Sequence, residues 1–146
     1  MPALFPILIV LLAGVGLAVQ PPTNAALAKA SGSVWLASLV SFAMGTAILF
    51  AIWAAADRTM PSALKGAPSW AWLGGLYGAC FVAALAYASP RLGLASALTI
   101  AVGSQLVTAL VLDRFGLLGL TAQPISLMRV AGVVLVIGGV LLVRAG

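Results

Sequence analysis

Histidine and glutamate are absent from the 146 residues, aspartate occurs twice, and there is a single cysteine. A cluster of metal-ligating side chains, an internal disulfide and a Cys/His nucleophile pair are therefore all excluded, and no cofactor is implied. No nucleophile has a base beside it, so an enzyme is not expected. Charge is scarce as well, at 6% of residues against 64% hydrophobic. A soluble domain devotes roughly 25% of its residues to charge. Nine charges cannot solvate a surface of this size, so lipid must be the solvent and the fold an all-α integral membrane bundle.

What charge there is runs mostly one way. The net charge of +5 comes from Lys29, Arg58, Lys65, Arg91, Arg114, Arg129 and Arg144 set against Asp57 and Asp113. The basic residues form no patch, so nucleic acid is not a partner. They fall between or at the ends of apolar runs, where Lys and Arg anchor helix ends at lipid headgroups.

Five apolar runs reach the length of about 20 residues that a membrane-crossing helix requires. They cover residues 3–20, 34–56, 69–89, 92–112 and 125–143, and the whole chain reads as one transmembrane domain. Turn chemistry separates them: Ser31-Gly32-Ser33, the prolines Pro61 and Pro68, the short Ser89-Pro90-Arg91 link of an expected hairpin, and Pro124. Trp35, Trp53, Trp70 and Trp72 lie near run ends, the depth tryptophan prefers. The first run lacks the basic start of a signal peptide, since residues 1–13 contain neither Lys nor Arg. Small residues recur at helical spacing: Gly74 and Gly78, then Gly93, Ala97 and Ala101, then Gly132 and Gly139. Such stripes let helix backbones approach closely, within one chain or between two. Cys80, inside the third run, reads as small buried filler.

Alternating spans place Arg58, Lys65, Arg114 and Arg129 on one side of the membrane and Lys29, Arg91 and Arg144 on the other. Orientation follows the Lys/Arg excess in short loops, and here the excess is one residue. Such a chain is expected to insert both ways and to pair as an antiparallel dimer, an inverted repeat made from two copies.

Neither aspartate falls in mid-span, so there is no buried carboxylate to exchange protons against a cation. Uncharged polarity remains. Gln105 sits near the centre of the fourth run, with Ser104 and Thr108 beside it. Its amide needs a helix partner, water or a ligand, because an unpaired amide in hydrocarbon costs several kcal/mol. Gln20 and Asn24 flank Pro21 and Pro22, which either break the first helix at membrane depth and line a cavity or end it at the interface. Asp113 and Arg129 are placed to form a structural ion pair across the last turn, in preference to a proton relay.

Together these residues resemble a known family. Gly14-Val15-Gly16 with Gln20 and Asn24 is similar to its first motif. Gly93, Ser104-Gln105-Leu106 and Asp113-Arg114-Phe115-Gly116, followed by Arg129 and Gly132, are similar to its second. The family is YdcZ, short inner-membrane proteins of the drug/metabolite transporter superfamily. The resemblance covers essentially the whole chain and departs from the usual pattern in having two prolines after Gln20. It implies five helices per chain, a bacterial inner-membrane location and a transport role, in a family of dual-topology proteins, oppositely oriented pairs and ten-span fusions. The resulting expectation is an antiparallel homodimeric carrier. Its substrate-binding residues are Gln20, Asn24, Ser104, Gln105 and Thr108, holding a small neutral or amphipathic metabolite. A passive channel, or a scaffold or accessory subunit, is the alternative.

Overall fold

The computed structural model describes residues 4–145. Within them are five helices long and apolar enough to cross a membrane: α1 (Leu4–Ser31), α2 (Val34–Ile52), α3 (Gly74–Leu92), α4 (Leu94–Phe115) and α5 (Leu127–Ala145). No strand occurs among the described residues. The expected start of the first span at Ala3 lies outside them.

Helix α1 corrects one expectation. It has 28 residues and runs through Pro21 and Pro22 without breaking. Each proline removes one backbone donor, leaving the carbonyls of Leu17 and Ala18 without their usual partners, but proline's fixed φ is itself helical. The alanine-rich stretch that follows sustains the helix to Ser31. The Thr23 hydroxyl donates back to the Gln20 carbonyl at 2.7 Å. At 1.5 Å per residue α1 is roughly 42 Å long, more than the ~30 Å hydrocarbon core. Its last turn, carrying Lys29, can therefore reach headgroup depth.

The helix ends follow local chemistry. Ser33 caps α2 by accepting the Leu36 N–H at 3.2 Å. Past Ile52 the chain widens into a π-turn, Trp53–Asp57, closed by Arg58 at φ 56 with its N–H on the Trp53 carbonyl. The third span opens as a 3-10 turn, Ser69–Leu73, before becoming α3. Only Gly93 separates α3 from α4, at φ 82 and ψ 145, a conformation that demands glycine. Gly116 ends α4 in the left-handed region at φ 59. A β-carbon there would stand 3.0 Å from the Ala122 nitrogen and the Leu120 oxygen, so both backbone and space require glycine. The fourth span is thus displaced from the expected 92–112 to Leu94–Phe115, between two glycines.

The described chain forms two compact units, one ending at Pro90 and the other starting at Arg91. In the first, α1 packs on α2, and a β-carbon on Gly78 of α3 would lie 3.3 Å from the Phe42 ring of α2. Its buried apolar residues are Ala37, Val82, Ala83, Leu85 and Ala86. In the second, α4 packs on α5, and a β-carbon on Gly103 would lie 3.3 Å from Val140. No large side chain is fully buried among the described residues. Backbone proximity at small residues, the packing mode suited to lipid, holds these helices together.

Candidate functional site: polar groups within the spans

Hydroxyl groups in the spans are mostly satisfied by their own helix. Ser38 donates to the Val34 carbonyl at 2.9 Å, Ser104 to Ala101 at 2.8 Å and Thr108 to Ser104 at 2.9 Å, and Thr99 bonds to Ala95. This back-bonding is the usual fate of Ser and Thr in a helix interior. Ser104 and Thr108 therefore have their hydroxyl protons engaged and face a ligand chiefly as acceptors.

Gln105 differs. Its side chain is exposed on the chain surface and makes no hydrogen bond among the described residues. Within the second unit, α4 turns Gly103, Leu106, Leu110 and Asp113 toward α5. At 100° per residue, Ser104 and Thr108 then face away from α5, and Gln105 lies on the flank of α4, one turn before Ala109.

Gln20 and Asn24 share a face of α1, one turn apart. Gln20 is half-buried, while Asn24 is only 2% exposed and its amide nitrogen has no hydrogen-bond partner. Pro21, beside them, is buried and Pro22 exposed. The structure thus brings Gln20 together with Asn24 in one unit and Ser104 with Gln105 and Thr108 in the other.

Ser89 was read from the sequence only as part of a turn. It lies instead inside α3, 7% exposed, with an unpartnered hydroxyl. No sequence signal marks it, because a serine in a helix normally bonds to its own backbone, as Ser38 does.

At the end of α4, Asp113 and Arg129 lie 3.4 Å apart, Oδ2 to Nη1, with both side chains about two-fifths exposed. Arg129 also donates through Nη2 to the Gln123 side-chain oxygen at 2.8 Å, and the Gln123 N–H donates to the Asp113 carbonyl at 2.8 Å. Gln123, which the sequence reading passed over, closes the loop between α4 and α5. An ion pair this exposed contributes at most about 1 kcal/mol.

Cys80 is exposed rather than buried filler. It lines a cleft of about 530 Å³ with Ser33, Trp35, Ala83, Ala84 and Tyr87. None of the anticipated polar residues reaches that cleft. Among the described residues no group of His, Cys, Asp or Glu could hold a metal.

Comparison with curated proteins and with solved structures gave no match. Residues 5–142 match the family described as "Putative inner membrane exporter, YdcZ". That range takes in both sets of polar residues, the Asp113–Arg129 pair and nearly all of the five spans. Five membrane-length helices and this family match agree on an inner-membrane protein of a transporter family, which is not a family of enzymes. The chain belongs to the YdcZ family.

Proposed function

We propose that the chain acts as a dual-topology, antiparallel homodimeric carrier. Its cargo is a small neutral or amphipathic metabolite, bound near the membrane midplane without carboxylate-centred proton exchange. The observation that carries this reading is Gln105. A primary amide near mid-span, exposed on the chain surface and unpaired, costs several kcal/mol if it meets only hydrocarbon. A second copy or a ligand removes that cost. In the other unit the buried amide of Asn24 is also unpaired.

Two further facts support the reading. Asp57 closes the turn after α2, and Asp113 stands in the last turn of α4, so both carboxylates are near span ends. The Lys/Arg difference between the two sides is one residue, which favours insertion in both orientations. Alternating access then follows from rocking one copy against its inverted partner.

The test uses copies locked into opposite orientations by lysines added at one end or the other. Each alone should be inactive, and co-expression should restore export. Full activity of either locked form by itself refutes the antiparallel requirement. Gln105→Leu should fold and dimerise but lose ligand affinity by about 0.5–1.5 kcal/mol, or roughly 2- to 13-fold. A lowered melting temperature with unchanged flux per dimer would instead make the amide packing glue, as in a scaffold.

A further inference from the structure

Helices α4 and α5 are not evenly packed. They approach tightly at Gly103, where a β-carbon would lie 3.3 Å from the Val140 side chain. Toward the other end they leave a groove of about 390 Å³, walled by Ala109 and Leu110 on α4 and by Val133 and Val136 on α5. Gly132 forms part of its floor, and a β-carbon there would meet nothing within 4 Å. The groove ends at Asp113 and Arg129. Apart from these two, everything lining it is hydrocarbon, in contrast to Ser104 and Thr108 on the far side of α4.

From Arg129 to Val136 is seven residues, roughly 10 Å along the helix, so the open apolar trough has room for an acyl chain laid along it.

Charge selects further. Arg129 stands in the first turn of α5 and Arg114 in the last turn of α4. With Asp113 the local sum is +1. Arg129 holds Asp113 only at 3.4 Å, and its Nε–H has no partner among the described residues. Helix ends lie at headgroup depth, where basic side chains meet lipid phosphates.

We propose that the α4–α5 groove binds an anionic phospholipid of the surrounding bilayer. One acyl chain runs along Ala109, Leu110, Val133 and Val136, and the phosphate accepts hydrogen bonds from Arg129. The site is independent of the transport reading: it requires neither a dimer nor a cargo.

Native mass spectrometry of the purified full chain tests it, after equilibration with equal amounts of phosphatidylglycerol and phosphatidylcholine of identical chains. Wild type should retain phosphatidylglycerol about fivefold over phosphatidylcholine, the preference that one interfacial arginine supplies. Arg129→Gln should erase the preference while lipid remains bound. Gly132→Leu grows into open space, so it should keep the fold yet lose most of the retained lipid; Ala109→Leu serves the same purpose if Gly132→Leu fails to express. The proposal is overturned if wild type shows no headgroup preference, or if a folded groove-filling variant keeps it. Lipid retained by monomers but expelled from dimers overturns it too, because a second copy then covers the groove. So does displacement by millimolar inorganic phosphate, which marks a soluble-anion site.

Discussion

Replacing Asn24 with leucine should make this protein more stable and less active. Asn24 is 2% exposed, and its amide nitrogen meets no acceptor. A buried donor left unpaired costs about 1–3 kcal/mol, because water has been removed and nothing has replaced it. Leucine has a similar shape and no such cost, so Asn24→Leu should recover that amount. For a chain of this length each kcal/mol moves the midpoint by about 2–4 °C, so the melting temperature should rise by roughly 2–12 °C. Asn24→Ala is the control: it removes the same donor but leaves a void, and the void offsets the gain. Thermal unfolding in mild detergent reads the effect through the native tryptophans, and ligand binding on the same samples reads the loss of a donor. A buried polar group that lowers stability is expected where function uses it. A fall of more than a few degrees in Asn24→Leu would show that the amide is paired in the assembled protein, and the reasoning from burial would be wrong.

Three other outcomes follow from the packing. Gly103→Leu should force α4 and α5 apart at Val140 and cost about 1–3 kcal/mol, measured as a lower melting temperature; an unchanged midpoint contradicts the close approach at Gly103. Gly116→Ala places a side chain at φ 59 and within 3.0 Å of backbone, so it should cost at least about 1 kcal/mol and loosen the following loop to proteolysis. Asp113→Asn breaks a pair that is about two-fifths exposed, and should shift stability by less than about 1 kcal/mol in the same melt.

The sequence made the five spans legible because length and apolarity along the chain are sufficient to identify a helix that must satisfy its backbone in lipid. Span ends were less legible. Asp113 and Arg114 were expected just past the fourth span, but charged residues are tolerated in a last turn at headgroup depth, and the stop is set by Gly116. The two prolines pointed either to a break in α1 at membrane depth or to its end at the interface, because each removes a backbone donor. Here the remaining backbone bonds and the flanking alanines carry the helix through.

Azimuth was the property that could not be read. In a soluble helix the apolar stripe marks the inward face, but a membrane helix is apolar all round and has no such marker. Asn24 and Gln105 look alike in sequence, each an uncharged polar residue in an apolar helix. In the structure one is buried and the other exposed on the chain surface. Ser89 was missed because Ser89-Pro90-Arg91 reads as a turn, whereas α3 continues through it to Leu92. The difference has a physical consequence. The unpaired donor of Asn24 is part of the folding energy of the single chain, so its replacement registers first in the melting temperature. Gln105 faces out of the chain, so its cost is set by whatever covers that face. Leucine there should leave the single chain's stability unchanged and appear in ligand affinity or flux, and a melting shift as large as that of Asn24→Leu would mean that the two faces have been misassigned.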